Sequence, residues 1–524
     1  EVIVKKPLQD YLSANNTYEL LKHSASKYMG KTALRFLADP ERNNDISYSY
    51  REMFELITQA ANSFYALGVN QERSVAMLLP NIPQAHFTLW GGEAAGIVTP
   101  INQFLDAEHI AAIMREADSR VLVTLAPSKD YDLWEKAKLI ASQVPTLVAI
   151  LTVDIDKLSS QDLRSKNIEP TVEESCKVID FDQYLTQFNN EKLDSGRVIH
   201  PGDIAAYFHT GGTTGVPKLA QHSHYNEVAA SSQAAFSLDY KASDVGICGL
   251  PLFHVNGAIV TGLAAFHSGV EIILLTADGF RNPRALSQMW QVVERHKASF
   301  FSAVPTVISG LLNFDTHGHD LSSLKVALCG AAPLPKETKQ RFEKATGLVI
   351  VEGYGQTEGT CATAINPMYG EHRNGSVGLR LPFMQIKTVI LNENSRTRRD
   401  CAVNEVGIIA ISGPTVICGY KQESKNADLW VEDGWLNSGD LGRIDEDGYL
   451  WLTGRSKDVI IRGGHNIDPI IIEEVLYQHS AIAEAAAVGR PDIKSGEVPV
   501  AYIQLTPSGV ATTDQILLWA AEHI

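Results

Sequence analysis

No two of the six cysteines (176, 248, 329, 361, 401 and 418) form a C-x-x-C pair. That spacing excludes the common zinc sites, and a disulfide framework is not expected in a chain of 524 residues. The expectation is reduced, mostly buried thiols, as in a cytoplasmic protein. Lys and Arg never gather into a long run, and the formal net charge is -16. Nucleic acid is therefore not an expected partner, because neutralising phosphates takes clustered positive charge. The acid excess itself speaks to solubility rather than to fold. No uninterrupted apolar run approaches the roughly 20 residues of a membrane-spanning helix. The longest candidate, Gly257 to Phe266, is broken by His267, Ser268 and Gly269. No secretory signal pattern opens the chain, and a start at Glu1 rather than Met leads us to expect a trimmed or only partly ordered protein. Internal repeats and low-complexity segments are missing as well. No G-x-S-x-G elbow offers a serine nucleophile.

What is present describes a packed protein of several domains. Apolar residues make up 44% of the chain, ordinary for a globular protein, and a prior of about 150 residues per domain gives two to four domains. Early segments alternate between helical and strand patterns: Tyr50 to Tyr65, Ser74 to Leu79, Gln84 to Ala95, Arg120 to Thr124. Such βα alternation predicts a mostly parallel sheet covered by helices. Residues 127–198 read as polar and irregular apart from a strand at Thr146 to Thr152. The alternation resumes at Glu271 to Leu275, a helix over Pro283 to His296, and strands at Phe300, Val326 to Cys329 and Val349 to Val351. Residues 377–451 read as β-rich, with turn signals at Asn392, Glu432 and Asp445, and a smaller α+β segment follows Gly454 to Asp458. The fold class is therefore α/β: a large N-terminal domain of helix-covered mixed and parallel sheets with a β-rich subdomain, plus a small α+β C-terminal domain.

The most informative stretch is HTGGTTGVPK, His209 to Lys218, with three glycines, three threonines and a lysine behind Pro217. Glycines let backbone N–H groups converge on an anion, threonine hydroxyls add donors, and Lys218 adds a charge that reaches a phosphate. The loop lies between the apolar Ile204 to Phe208 and a helix-capable stretch from about Tyr225. It is not a Walker A loop, which requires Gly directly before the lysine. A decoy, Ala25 to Thr32, fits a loosened Walker pattern. It follows a helical segment and precedes a strand, the reverse of the strand–loop–helix order expected of a phosphate loop.

HTGGTTGVPK resembles the phosphate loop of the adenylate-forming superfamily: acyl-CoA synthetases, firefly-type luciferases and nonribosomal-peptide adenylation domains. Further family-like motifs follow in the family's order: Pro251 to Asn256, Cys329 to Leu334, Glu352 to Glu358, Trp435 to Asp440, Gly454 to Asp458, and Gly463 to Asn466. The resemblance spans nearly the whole chain. It implies two half-reactions, in which a carboxylate attacks the α-phosphorus of ATP to give acyl-AMP and a thiol then displaces AMP. Both move charge between oxygens and ask the protein chiefly for positioning and for stabilising negative charge.

The resemblance assigns tasks residue by residue. Thr210, Gly211, Gly212, Thr213, Thr214, Gly215 and Lys218 would hold the triphosphate. Glu358 would bind Mg²⁺, a hard cation that takes carboxylate and phosphate oxygens, and Thr357 would reach the α-phosphate. Gly330, Ala331 and Ala332 would let adenine approach the backbone, with Glu352, Gly353, Tyr354 and Gly355 beside it and Tyr354 stacked on its face. Asp440 would accept from the ribose hydroxyls, as carboxylates do in nucleotide sites, assisted by Arg455. His254 would line the carboxylate channel; general-base work is not expected of it, since a carboxylate is already ionised near neutral pH. Lys457 matches the hinge between a large domain of residues 1–456 (β-rich at about 377–451) and a small mobile domain of residues 457–524. Gly463 and Gly464 would flank the path of the CoA arm.

The resemblance has departures. The family's catalytic lysine near the end of the small domain would fall beyond Ile524, so the domain is expected to be truncated or to lack that lysine. Gln356 stands where Met is common, and Leu219 where Gly is common. The implied partners are ATP, CoA and a small-molecule carboxylic acid. Residues 254–262, 300–305 and 330–355 are largely apolar or small, which favours a hydrophobic, fatty acid over an amino acid; Asp239 is the nearest residue to an ammonium-binding Asp. The acceptor thiol could instead belong to a carrier protein, and a non-catalytic nucleotide-binding protein is the reading of another class. Homo-oligomerisation stays open.

Overall fold

The computed structural model describes residues 6–42, 45–159, 171–173, 176–210, 217–462, 465–492, 495–506 and 509–523. Among them, two large sheets carry the fold. One has nine strands and runs in space from Leu379–Arg380 through Cys361–Ile365, Ile350–Gln356, Val326–Cys329, Phe300–Ala303, Val245–Cys248, Glu271–Leu275 and Thr32–Leu37 to Ile46–Ser49. Its middle is parallel and its edges antiparallel. The other has eight strands, with Ile97–Pro100, Ser74–Leu78, Val121–Leu125 and Ala149–Val153 at its parallel centre and the hairpin of Ile204–Thr210 with Lys218–Ser223 on one edge. The central strands are buried along their whole length, which is why they read as continuous apolar runs rather than alternations.

Between the sheets lie helices with no solvent face. Every residue of Pro83–Ala95 is buried, and nearly all of His224–Ser237. Asn256–Leu263, the start of the longest apolar run, winds as a π-helix, wider than an α-helix, a form that often marks functional sites. No helix among the described residues is long and apolar enough to cross a membrane.

Two readings need correction. Residues 127–198 are not merely irregular. Leu133–Ala141 is a helix burying Trp134, Ala137 and Ile140 at helical spacing, and Cys176–Asp180 adds a parallel strand beside Ala149–Val153. The strand was hard to read because it is half-exposed, so its composition carries no clear period. The expected helix over Pro283 to His296 breaks at Gln288 into Pro283–Ser287 and Met289–His296.

The β-rich part is an antiparallel six-stranded sheet within residues 385–455, with its own apolar cluster around Leu381, Ile409 and Leu436. The small C-terminal domain is a four-stranded antiparallel sheet carrying helices Pro469–Tyr477 and Thr513–His523, with a separate core of Ile460, Ile472, Leu476, Ile482 and Ile516. Lys336 Nζ and Glu474 Oε1, 3.2 Å apart, tie it to the large domain.

One glycine shows how tightly the site is built into this frame. Strand Ile350–Gln356 pairs with Cys361–Ile365, and the register slips between Tyr354 and Gly355. A Cβ on Gly355 would sit 1.7 Å from the Cys361 carbonyl oxygen, so only glycine fits this close approach. Gly355→Ala is expected to cost at least the ~1–3 kcal/mol of an overpacked core, seen as a lower unfolding midpoint. An unchanged midpoint would refute the close approach.

Candidate active site

A cavity of about 780 Å³ opens between the two large sheets, the β-rich part and the segment Arg455 to Lys457. Thr210 and Lys218 stand opposite each other as paired residues of two antiparallel strands, and the glycine-rich segment joins these strands in sequence. Gly211, Gly212, Thr213, Thr214 and Gly215 lie outside the described residues, as do Gly463 and Gly464. The order is strand–loop–strand, and the helix begins only at His224. The expected strand–loop–helix order is therefore corrected: no helix N-terminus follows the loop directly. That order does not separate loop from decoy either. What disposes of the decoy is that the Lys31 ammonium is committed to the carbonyls of Ala242 and Gly269.

The base of the hairpin is clamped by the segment 417–422. Lys421 N–H donates to the Leu219 carbonyl (2.9 Å) and Gln221 N–H to that of Gly419 (3.1 Å). The Gln422 side chain accepts from Leu219 N–H (3.0 Å) and donates to the Pro217 carbonyl (3.2 Å). Leu219, unusual where glycine is common, is fully buried beneath this clamp.

The same segment supplies a residue that sequence reasoning missed. The Tyr420 hydroxyl donates to Glu358 Oε1 at 2.5 Å, and the Lys218 ammonium lies 4.7 Å from the centre of its ring. Burial first, then Glu358, pushes the Tyr420 phenol far up, so it stays a donor. The turn Thr357–Gly359 that carries Glu358 is pinned from outside. Ile417 N–H donates to the Glu358 carbonyl (3.1 Å), and the Thr357 carbonyl accepts from Thr360 N–H (3.0 Å) and from His222 Nε2 (2.8 Å).

Gly330, Ala331, Gly353, Tyr354 and Gly355 line the cavity. Ala331 holds a left-handed φ of 71° that brings its backbone to the wall. Ala332 is exposed beside this wall and is not part of the lining. Asp440 is buried behind Tyr354: its Oδ2 accepts from the Tyr354 hydroxyl (2.7 Å) and its Oδ1 from Arg455 Nε (3.0 Å). Glu352, expected at the nucleotide, is not part of the lining. It forms a buried ion pair with Lys339 (2.9 Å), and burial raises its pKa. Asp239 is paired with Lys241 and accepts from Tyr369 (2.8 Å), away from the lining.

The remaining wall mixes apolar side chains with a few uncharged polar ones. His254, Val255, Asn256 and Val260 contribute, with Ser302, Val304, Leu328 and Val351 opposite. Ala234 and Ser237 from the buried helix His224–Ser237, Leu238 just after it, and Cys361, Ala362 and Ile365 join them and were not foreseen. The small residues of Ala-Ala-Ser-Ser-Gln-Ala-Ala at 229–235 were the available signal. His254 faces the open cavity, yet the protein around it lowers its pKa; neighbouring His209 is held down to about 4 by burial and then by His254. Both imidazoles are neutral near pH 7. Burial raises the Cys361 thiol to about 12, so it is no nucleophile. No group of three His, Cys, Asp or Glu side chains among the described residues could hold a metal unaided. A hard cation would need Glu358 together with ligand oxygens.

Residues 21–421 match the family model described as AMP-binding enzyme, and residues 471–524 that of the AMP-binding enzyme C-terminal domain. The chain is 40% identical over 527 residues to the marinolic acid–CoA ligase of Pseudoalteromonas sp. (strain SANK 73390), covering 99% of this chain and 78% of that protein. It is 32% identical over 519 residues to a long-chain-fatty-acid–CoA ligase of Bacillus subtilis (strain 168), covering 96% and 88%. In fold it is similar to the anthranilate CoA ligase AuaEII in complex with anthranoyl-AMP, with a TM-score of 0.83 at 23% identity over 99% of this chain and 93% of that one. ATP-bound MatB from Rhodopseudomonas palustris gives 0.81 at 24% identity over 97% and 92%.

Tyr420→Phe keeps the ring under Lys218 and removes only the bond to Glu358. A hydrogen bond to a charged group contributes about 1.5–3 kcal/mol, so the Mg²⁺ concentration for half-maximal ATP binding should rise about tenfold or more. Titration calorimetry at graded Mg²⁺ checks this, and an unaltered Mg²⁺ dependence would refute the role of the hydroxyl.

Proposed function

The chain belongs to the AMP-binding enzyme family as an acid–thiol ligase of the acyl-CoA ligase type, and from that premise we propose that it activates a hydrophobic, fatty carboxylic acid. One oxygen of the acid's carboxylate attacks the α-phosphorus of ATP, the bond to pyrophosphate breaks, and acyl-AMP forms. The CoA thiol sulfur, its proton passing to solvent, then attacks the acyl carbon, and the bond to AMP breaks. Lys218 and Thr210 hold the outgoing phosphates with the loop Gly211 to Gly215. Thr357 lies at the α-phosphate and Tyr354 against the adenine. Asp440, still able to accept further hydrogen bonds, takes the ribose with Arg455. A Mg²⁺ on Glu358 and the triphosphate would supply positive charge against the charge that develops in transfer. The fit rests on a Glu358 carboxylate at the cavity wall with one oxygen held by Tyr420 and the other unclaimed by that bond.

The single observation that carries the acid class is continuity. One cavity is lined by Lys218, Glu358 and His254 and also by Ala234, Leu238, Leu250, Val260 and Ile365. The latter group has no charge to receive an ammonium or a second carboxylate, and each buried CH₂ of a fatty chain would gain about 0.8 kcal/mol there. The relatives named for marinolic acid and for long-chain fatty acids agree with an apolar tail. Neutral His254 closes the channel between reacting carboxylate and solvent. Lys457 serves as the hinge between residues 1–456 and 457–524, whose rotation would bring Gly463 and Gly464 to the CoA arm.

Two outcomes test this. Exchange of labelled pyrophosphate into ATP should depend on an added hydrophobic acid and rise with tail length across a panel; exchange only with short polar acids, or none at all, would overturn the acid class. Lys457→Pro should spare that exchange while lowering acyl-CoA formation at least about tenfold, as expected when a hinge rather than a reacting group is altered. Equal loss of both would refute the hinge.

A further inference from the structure

Beneath the Thr357–Gly359 turn lies a set of buried ionisable groups that the chemistry above does not use. Glu93, on the buried helix Pro83–Ala95, and Glu227, on the buried helix His224–Ser237, are both 0% exposed and within hydrogen-bond reach of each other. His222, on the outer strand of the hairpin, is also 0% exposed, its ring 4.8 Å from that of Phe208. Its Nδ1 lies 3.4 Å from Glu227 Oε1 and its Nε2 2.8 Å from the Thr357 carbonyl oxygen. At the far end, the Thr17 hydroxyl donates to Glu93 Oε2 at 2.6 Å.

Protons decide whether this arrangement is tolerable. A carbonyl only accepts, so His222 Nε2 carries a proton. His222 Nδ1, both oxygens of Glu227 and Glu93 Oε1 have no conventional hydrogen-bond partner. A bare Nδ1 facing two ionised glutamates would bury several acceptors with no donor among them, a costly state. Two patterns satisfy all four atoms, and in both Glu93 keeps its proton and donates it to Glu227. The second proton sits either on Glu227, donated to Nδ1, or on Nδ1, donated to Glu227, and only the second placement puts a charged donor on the Thr357 carbonyl. Burial first, and then Glu227, raises the Glu93 carboxyl well above its ordinary range, in keeping with a neutral acid. Neighbouring His224 is pushed down to about 3 by burial, so it adds no competing positive charge.

We propose that Glu93, Glu227 and His222 form a buried chain of neutral acid, carboxylate and imidazolium that positions the Thr357–Glu358 turn through the Thr357 carbonyl, a role that rests on the acid-activation reading above. The charge matters because an ionised donor makes the stronger and shorter hydrogen bond. The imidazolium has a negative partner on only one side, so Glu227 is what keeps it charged. Glu93, already neutral, serves chiefly to give Glu227 a donor. These are positioning residues; none lines the cavity.

The test compares two isosteric changes. Glu93→Gln replaces one neutral donor by another, whereas Glu227→Gln removes the only negative charge in the chain. Glu227→Gln should lower kcat for acid-dependent pyrophosphate exchange at least about tenfold more than Glu93→Gln does, with KM for the acid unmoved in both, as expected when a charged hydrogen bond is lost. A packing role would make the two variants alike, and that result would overturn the proposal. A readout independent of activity is ¹⁵N NMR of histidine-labelled protein. The imidazolium signal identified as His222 by its loss in His222→Gln should be present in the parent protein and absent from Glu227→Gln. Its absence from the parent protein would also overturn the proposal. If Glu227→Gln does not fold, His222→Gln, which keeps an amide donor for the Thr357 carbonyl, takes its place: reduced kcat at unchanged KM for the acid supports the chain, and full activity overturns it. A parent protein with the imidazolium but no acid-dependent exchange would sink the functional reading and leave the charge chain standing. An active parent whose exchange is indifferent to both variants would sink only the positioning role.

Discussion

A cation and a carboxylate share one wall of this cavity without pairing with each other, and the proposed function gives each a different part of the same ligand to hold. Tyr420 partners both. Its ring face takes the ammonium of Lys218 and its hydroxyl takes Glu358, so both charges have a partner inside the protein and neither needs the other. Cation–π contact is worth about 0.5–1 kcal/mol at a partly exposed site, enough to orient a lysine and too little to keep it from a phosphate. The hydroxyl likewise orients Glu358.

Everything around this triad holds the two pieces of backbone that carry it. The hairpin base is gripped by the segment 417–422 through main-chain bonds and the Gln422 amide. The Thr357–Gly359 turn is pinned through both of its first two carbonyls and, one residue on, by the Thr360 hydroxyl donating to the Thr415 carbonyl at 2.6 Å. The two large sheets supply rigidity because their central strands and intervening helices are buried on all sides. Close-packed interiors of this kind transmit displacement rather than absorb it, which is how groups as deep as Glu93 and Glu227 can bear on a turn at the cavity wall.

The acyl side obeys a different rule. Its wall is shape more than chemistry: alanines and short polar residues on His224–Ser237 and the wide turns of Asn256–Leu263 leave space where a regular, large-residue packing would fill it. Under the proposed function the nucleotide side is made of a few directed bonds, the acid side of small side chains, and His254 lies in the lining of the cavity they share.

The glycine-threonine loop, Tyr-Gly-Gln-Thr-Glu, Asn-Ser-Gly-Asp and the order in which they come were legible from the chain alone, and they carried the family, the fold class and the two-step chemistry. They were legible because each is a local run in which residue type and spacing already state a need, such as glycine where Gly355 passes the Cys361 carbonyl. Tyr420, the turning of Glu352 toward Lys339, and the His222–Glu227 pair under Thr357 were decided only in three dimensions. Tyr420 reaches a partner 62 positions away and His222 one 135 positions away, and no periodicity within a segment encodes which face of a strand meets which helix once the sheets have closed.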